Sequence, residues 1–302
     1  MHKNNPVIAI VGPTGIGKTD FALELAEEWP IEIINLDSVL VYRALNIGSA
    51  KPSVAEMQAV PHHLIDIVDL NQGYSVAQYI HDVVPVIDAV RKKGKIPVLV
   101  GGSMMYLWCL ENGLKSQPKT TQEVRRDVQL QALSLGWAAM HARLRELNPA
   151  KAMLINEGDK QRISRAIELE ILDYNAVLEE GFAGIELDKI ILLPHDRQKL
   201  YDRLNNRFLY MLDNGLVDEL QGLNAIYGRP LGHADPRNSV GYKQVGMYLD
   251  GALSWDEMCD KGQQASRNLA KKQLTWLKKM DGLELVRVQT SDWLNIVKHK
   301  FL

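Results

Sequence analysis

The chain has 302 residues, of which 46% are hydrophobic and 24% are charged, and its formal net charge at pH 7 is −2. This length and composition are enough to bury a substantial core in one large domain or two. No apolar stretch approaches 18 residues, which excludes a membrane span. The two cysteines, Cys109 and Cys259, lack the spacing of a metal site or a disulfide framework. We therefore expect a cytoplasmic protein with buried thiols.

The first predicted strand, residues 7–11, runs directly into a phosphate-binding loop. The loop matches the G-x-x-x-x-G-K-[ST] pattern and is followed by a predicted helix at 20–28; it reads Gly12-Pro13-Thr14-Gly15-Ile16-Gly17-Lys18-Thr19. Glycines let backbone N–H groups curl around an anion, and the helix N-terminus adds its positive end. We expect Lys18 to reach the outer phosphate and Thr19 to bind Mg²⁺, because a plain glycine-rich turn needs neither side chain. The loop predicts a di- or triphosphate ligand without identifying it.

The second predicted strand, residues 31–36, ends at Asp37 and Ser38. Ligands of open α/β sheets bind outside the carboxyl ends of the strands, so Asp37 is expected to face the phosphate site. A helix N-cap or an Asx turn is the alternative role for this residue. The polar segment 47–52 that follows is typical of functional loops and of ordinary ones.

His62 and His63 introduce a short predicted strand, where adjacent side chains point to opposite faces and are poorly placed to share a metal. A helix is predicted at 75–93, with Ser75 as its N-cap. The next apolar strand, residues 96–100, runs into the second glycine turn, Gly101-Gly102-Ser103. Because this turn also follows the carboxyl end of a strand, we expect it to line the same crevice as the phosphate loop.

Between residues 117 and 184 the pattern becomes helical, with predicted helices at 124–135, 137–147, 149–156 and 161–179. This stretch predicts an insertion domain, and residues 1–116 and 185–302 are predicted to form the core around it. Arg162 and Arg165 are spaced i, i+3, which places them on one helical face with Gln161 beside them. That face is either an interaction surface or ordinary solvated surface.

The core resumes with a strand at 189–193 and a helix at 197–211, in which Arg203 and Arg207 share one face. Two guanidinium groups arranged in this way suit a diphosphate, although an exposed ion-paired face has the same pattern. A strand at 283–288 and a helix at 291–300 complete the prediction.

Residues 261–280 carry an excess of positive charge. They contain no acidic residue and six basic ones: Lys261, Arg267, Lys271, Lys272, Lys278 and Lys279. Such a run is either a solvated helix face or a nucleic-acid surface. A nucleic-acid ligand would have to be held by a local patch of this kind, because the chain as a whole lacks the basic excess that such proteins often carry.

The ordered set of motifs resembles the tRNA dimethylallyltransferase family, also called tRNA isopentenyltransferase. It comprises the phosphate loop, Asp37-Ser38, residues 47–52, the double histidine, residues 100–106, 161–166, 240–244 and 271–276. The resemblance implies an α/β, P-loop NTPase-like parallel sheet flanked by helices, with a helical insertion domain that contacts tRNA. It implies transfer of a dimethylallyl group from its diphosphate to the exocyclic amine of the adenosine 3′-adjacent to the anticodon. Mg²⁺ would assist, and pyrophosphate would be released.

Several positions depart from the pattern of the family. Gly15-Ile16 replaces a pair of small residues, Ser103 replaces threonine, and Lys243 and Lys272 replace arginine, which keeps the charge but loses its bidentate geometry. Residues 156–160 read Asn-Glu-Gly-Asp-Lys, where the family often has a stretch resembling His-Pro-x-Asp-Pro.

The resemblance also implies roles for individual residues. Asp37 would be the general base, while Lys18, Thr19 and Arg207 would assist departure of the diphosphate. The predicted donor diphosphate site comprises Gly12, Pro13, Thr14, Gly15, Ile16, Gly17, Lys18, Thr19, Arg203 and Arg207. The predicted tRNA contacts are Asp37, Ser38, Val39, Leu40, Ser103, Gln161, Arg162, Ile163, Ser164, Arg165, Gly241, Tyr242, Lys243, Lys271 and Lys272. We expect a monomer.

Three other functions remain compatible with the motifs. A P-loop small-molecule kinase would use Asp37 to position a hydroxyl group or a metal. A prenyltransferase acting on free adenine nucleotides would need neither the insertion nor the basic helix. A nucleotide-switched RNA-binding module fits the loop and the basic face but gives Asp37 and Arg207 no role.

Overall fold

The structure, a computed structural model, describes residues 7–114, 120–172, 182–230 and 235–287, together with Val297. The strands in these ranges form a parallel sheet of six strands in the order β3-β2-β4-β1-β5-β6. The strands are β1 (Ile8–Val11), β2 (Ile31–Leu36), β3 (His62–His63), β4 (Ile96–Gly101), β5 (Asp188–Pro194) and β6 (Leu283–Arg287). The predicted parallel sheet is therefore confirmed.

Helices separate consecutive strands along the chain. They are α1 (Lys18–Glu28), α2 (Val54–Ala59), α3 (Val76–Lys92), α4 (Met104–Asn112), α5 (Gln122–Leu135), α6 (Trp137–Leu147), α7 (Pro149–Met153), α8 (Lys160–Ile171), α9 (Arg197–Asp213), α10 (Leu216–Tyr227), α11 (Tyr242–Leu249) and α12 (Trp255–Leu277). None of the helices within the described ranges is long and apolar enough to cross a membrane.

One predicted helix extends beyond the observed one. The prediction runs to residue 156, whereas α7 ends at Met153 with Leu154 as its C-cap, and the Asn156 side chain then accepts a hydrogen bond from the Gly158 N–H at 2.9 Å in a turn. Asp159 then caps α8 by accepting from the Arg162 N–H at 3.2 Å. The predicted continuation of that helix over 173–179, and the predicted helix at 291–300 except Val297, lie outside the described residues.

Strand β1 lies in the interior of the sheet, paired with β4 on one side and β5 on the other. All four of its residues are buried, which explains its continuous apolar sequence. Ile8 and Ile10 point to the same face, where Phe21 and Leu25 of α1 belong to the same hydrophobic cluster. Because β1 is central, the phosphate loop at its carboxyl end lies at the middle of the sheet edge.

The chain divides into two compact units, Met1–Asn112 with Gly184–Leu302 and Gly113–Ala183. The first unit contains the sheet. The second contains helices α5 to α8, which enclose a separate hydrophobic core; its buried members include Val128, Met140, Leu144, Ile163 and Ile167.

Candidate active site

The phosphate loop has the backbone shape that its glycines predict. Gly15 and Gly17 have φ angles of 74° and 89°, in the left-handed region where glycine is favoured. A Cβ atom on Gly15 would lie 2.6 Å from the Leu204 side chain, so α9 also packs too closely for a larger residue. Helix α1 begins directly afterwards, at Lys18.

The Lys18 side chain folds back over the loop. Its Nζ donates hydrogen bonds to the Gly12 and Pro13 carbonyl oxygens at 3.1 and 3.0 Å. Burial lowers the pKa of Lys18 to about 8, Asp37 opposes this shift, and Arg207 reinforces it. A buried ammonium group with a lowered pKa would be stabilised by an anion at the loop.

Asp37 occupies a rigid turn after β2. The buried Asn35 side chain donates to the Asp37 carbonyl and accepts from the Asp37 N–H, both at 2.9 Å. The Asp37 Oδ1 atom accepts a hydrogen bond from the Val39 N–H at 2.8 Å. The Asx turn is thus present, and the same carboxylate also faces the cavity beside the loop. The two roles considered for Asp37 are compatible.

A cavity of about 120 Å³ lies between these elements. Its lining combines polar groups with apolar side chains: Thr14, Asp37, Val39, Gly48, Ser49, Leu204, Arg207, Phe208, Met211, Ser239, Val240, Gly241, Ser266 and Leu269. Burial lowers the pKa of Arg207, Asp37 opposes that shift, and the neighbouring Arg203 reinforces it. A small ligand with an anionic end and a short apolar end matches this lining.

The second glycine turn lies beside the phosphate loop, since a Cβ on Gly102 would be 3.5 Å from the Gly12 carbonyl oxygen. Ser103 Oγ accepts a hydrogen bond from the Ser38 N–H at 3.0 Å, which joins this turn to the one that carries Asp37. The expectation that both turns line one crevice is supported by these contacts.

Gln273 of α12 bridges the two glycine turns, a role that sequence reasoning missed. Its Oε1 accepts from the Thr14 N–H at 2.8 Å, and its Nε2 donates to the Gly102 carbonyl at 2.9 Å. The sequence contains a signal for this role. Gln273 follows Ala270 by three residues and precedes Leu277 by four, so it is a polar residue on the buried stripe of the helix.

Tyr242, predicted to contact tRNA, is completely buried. Its hydroxyl donates to Glu219 and accepts from the Gly48 N–H at 3.2 Å, and Glu219 also accepts from the Ile47 N–H at 2.7 Å. A Cβ on Gly48 would lie 2.6 Å from the Tyr242 ring. We therefore correct its assignment: Tyr242 supports the cavity-lining loop and has no surface for an RNA contact.

In the second unit, Ile163 is also fully buried and belongs to the core of the unit, so it too is removed from the predicted RNA contacts. The Arg165 guanidinium bonds the Thr120 hydroxyl and lies 3.5 Å from the buried Glu168 carboxylate. Ser164 donates to the same carboxylate at 3.3 Å. Two of the predicted contacts, Gln161 and Arg162, are exposed.

In the first unit, the predicted RNA-contact lysines are exposed: Lys243, Lys271 and Lys272. Ser38 is also exposed, while Val39, Leu40 and Ser103 are partly exposed. Gly241, with a φ angle of 93°, is buried and lines the cavity. Arg203 is exposed, one helical turn before the cavity-lining Arg207.

Comparison with known proteins agrees with this geometry. The model of the IPP transferase family matches residues 40–280. The chain belongs to the IPP transferase family. A tRNA dimethylallyltransferase of Chromobacterium violaceum is 42% identical over an alignment of 289 residues, and the match covers 94% of this chain and 89% of that protein. One from Nitrosomonas europaea is 42% identical over 93% of this chain and 90% of its own length.

A crystal structure of the tRNA isopentenylpyrophosphate transferase of Bacillus halodurans has the same fold. It is 31% identical and superimposes with a TM-score of 0.72, over 98% of this chain and 97% of the other. The IPP transferase family match begins at residue 40, after the phosphate loop, so the loop is recognised from its own sequence and geometry. The predicted family and the P-loop NTPase-like fold are confirmed.

Proposed function

We propose that this transferase moves a dimethylallyl group from dimethylallyl diphosphate to the exocyclic amine of the adenosine 3′-adjacent to the anticodon of tRNA, and releases pyrophosphate. The reaction class is that of the IPP transferase family. One observation carries the assignment of the site: a single cavity beside the phosphate loop combines Asp37 and Arg207 with apolar walls.

The donor diphosphate would lie on the phosphate loop. Lys18, Arg207 and the loop N–H groups would stabilise the negative charge that accumulates as the bond between carbon and oxygen breaks. The short prenyl chain would pack against the apolar walls, which include Leu204, Phe208 and Met211. Ser239 also lines this cavity.

A magnesium ion would fit beside Thr19. The Thr19 hydroxyl follows Lys18 at the start of α1, and within the described ranges no three His, Cys, Asp or Glu side chains cluster to form a metal site. An ion here would take its other ligands from phosphate oxygens and water, as Mg²⁺ commonly does. When bound, Mg²⁺ supplies charge neutralisation to the leaving diphosphate.

At the acceptor end, Asp37 would take the proton of the attacking amine. This amine is a poor nucleophile because its lone pair is delocalised into the adenine ring. A general base contributes about 10²–10⁴-fold, and Asp37 Oδ2 remains for this work while Oδ1 accepts from Val39. The target base would have to leave its stack to reach the cavity.

Exposed lysine side chains of the first unit, Lys243, Lys271 and Lys272, would hold the tRNA backbone. The exposed Arg162 of the second unit would make a separate contact. Because the net charge is −2, tRNA binding would depend on these exposed residues. With about four phosphate contacts, the affinity for tRNA should fall about 10²-fold when the salt concentration is raised from about 50 to about 200 mM. A double variant, Lys271→Ala with Lys272→Ala, should weaken binding and flatten this salt dependence. The exposed Lys92→Ala is the matched control.

The deciding experiment supplies labelled dimethylallyl diphosphate and Mg²⁺ with unmodified tRNA in one reaction and with AMP in another. We expect label in tRNA, at the adenosine beside the anticodon, without added ATP. Transfer to AMP alone would instead identify a prenyltransferase of free nucleotides. An absolute requirement for ATP, with phosphate transfer, would identify a kinase.

A further inference from the structure

One side-chain amide connects the donor loop to the second glycine turn. Gln273 is only 8% exposed, and both ends of its amide are bonded, to the Thr14 N–H at 2.8 Å and to the Gly102 carbonyl at 2.9 Å. An interior polar group left without a partner destabilises the folded protein. The two loops are therefore held at the separation that one amide spans.

The second glycine turn is shaped to admit this amide. A Cβ atom on Gly102 would lie 2.5 Å from Gln273 Nε2, closer than any real contact allows. An alanine there would displace the end of the glutamine side chain, because that end is more mobile than the backbone around it. Gly102 thus provides a second, independent position from which the bridge can be broken.

The connection continues from Gly102 to the proposed base. Ser103 donates its N–H to the Leu36 carbonyl at 3.1 Å, and its Oγ accepts from the Ser38 N–H at 3.0 Å. Ser38 is the covalent neighbour of Asp37. Gln273 therefore lies on a short bonded path from the loop that would hold the donor to the turn that holds Asp37.

We propose that Gln273 is a positioning residue for the transfer reaction, fixing the distance between the donor diphosphate and Asp37. The inference rests on the proposed function. Misplacement of reacting groups by about 1 Å can cost on the order of 10²-fold in rate. Because Gln273 already occupies the Thr14 N–H, it takes this hydrogen bond away from the diphosphate. Replacing Gln273 should therefore lower the rate of turnover without weakening donor binding.

The test compares Gln273→Leu with wild-type protein. The single-turnover rate is measured at saturating donor and tRNA and is expressed per folded molecule. Donor affinity is measured by equilibrium dialysis of labelled dimethylallyl diphosphate without tRNA. We expect the rate to fall about 10–100-fold while the dissociation constant changes less than about threefold. The same replacement at the exposed Gln264 of α12 should leave both values unchanged.

Two further variants distinguish positioning from simple support of the fold. Gly102→Ala should lower the rate in the same way, and in the double variant with Gln273→Leu the losses should not multiply, because both break one bridge. Gln273→Glu keeps an acceptor for the Thr14 N–H but places a carboxylate against the Gly102 carbonyl, so we expect at least about a tenfold loss of rate.

The inference is overturned if the rate per folded molecule stays at the wild-type value while only thermal stability falls. A loss confined to donor affinity, or fully multiplicative losses in the double variant, would overturn it equally. If Gln273→Leu does not fold, Gly102→Ala and Gln273→Glu decide by the same rate and affinity criteria. Failure of wild-type protein to modify tRNA would instead refute the proposed function, so the two failures are distinct.

Discussion

The two ends of strand β2 carry carboxylates in opposite electrostatic surroundings. Glu32, near the start of the strand, is 1% exposed, and its oxygens accept from His63 at 2.7 Å and lie 3.0 Å from the ammonium groups of Lys93 and Lys95. Although burial opposes the shift, these partners lower the pKa of Glu32 to about 2. At this end of the strand, the hydrogen-bond and ion-pair partners of Glu32 compensate its negative charge.

Asp37, just beyond the other end of β2, is the opposite case. Here Asp37 interacts electrostatically with two partly buried cations, Lys18 and Arg207, and burial lowers the pKa of both. The cations are incompletely compensated, which raises the energy of the folded protein but favours an anionic ligand. The comparison indicates that charge at one strand end stabilises the fold, while charge at the other end is available for the ligand binding that we propose.

The largest expected effect is that of Asp37→Asn, which removes the carboxylate just beyond the carboxyl end of β2. An asparagine keeps an oxygen to accept from the Val39 N–H, so the Asx turn is preserved while the negative charge and the base are lost. We expect the single-turnover rate of prenyl transfer to fall about 10²–10⁴-fold. Donor affinity, measured by equilibrium dialysis, should stay equal or increase, because two cations lose their protein counter-ion.

The exposed Asp88→Asn on α3 is the matched control for this prediction. A rate for Asp37→Asn within a few-fold of wild type would show that Asp37 is not the base. A large fall in donor affinity would show that its main task is to order the phosphate loop.

The positions of the phosphate loop and of Asp37 could be predicted from the sequence because these features are local. The phosphate loop is continuous, and Asp37 follows an apolar strand whose carboxyl end must lie at the same sheet edge. The parallel sheet followed from the short apolar runs separated by helices. For such features, the pattern along the chain carries the spatial information.

Features that depend on long-range packing were missed or assigned wrongly. Gln273 forms a hydrogen bond with Thr14, which is 259 positions away in the chain. In the sequence it is only one polar residue within a basic helix. Tyr242 was expected on the RNA surface, but its ring fills the space above Gly48 and its hydroxyl bonds Glu219. The cluster at Glu32 was not predicted, because its partners come from two separate segments of the chain.

Glu32→Gln tests the charge cluster near the start of β2. This change removes the charge that Lys93 and Lys95 contact, and water screens these two ammonium groups because they are partly exposed. We therefore expect the free energy of unfolding at pH 7 to fall by about 2 kcal/mol, measured by urea denaturation. The contribution of Glu32 is fully present above pH 4.5, its ordinary pKa, and is lost as the pH falls towards its folded pKa of about 2. Donor affinity should not change.

The exposed Glu27→Gln on α1 serves as the control and should alter stability by less than about 0.5 kcal/mol. Equal stability of Glu32→Gln and wild type at pH 7 would mean that the buried cluster contributes no net stabilisation, and the contrast between the two strand ends would be lost.

The smallest expected effect is a pH dependence of donor binding, caused by Lys18 beside Asp37. Lys18 has a pKa of about 8 in the ligand-free protein, and a bound diphosphate favours the charged form and raises that pKa. At pH values where Lys18 is partly deprotonated, donor binding is therefore accompanied by uptake of a proton. Between pH 7 and pH 9, the pH values chosen for the assay, the dissociation constant should rise about tenfold.

Lys18→Arg isolates the contribution of this residue, because an arginine keeps its charge throughout that pH range. The donor's own ionisation adds negative charge as the pH rises, which strengthens binding and acts in both proteins alike. The wild-type dissociation constant, divided by that of the arginine variant at each pH, should therefore increase from pH 7 to pH 9. A constant ratio would show that Lys18 is still fully charged at pH 9. The positive charges beside Asp37 would then be as well compensated as the carboxylate of Glu32 at the other end of β2.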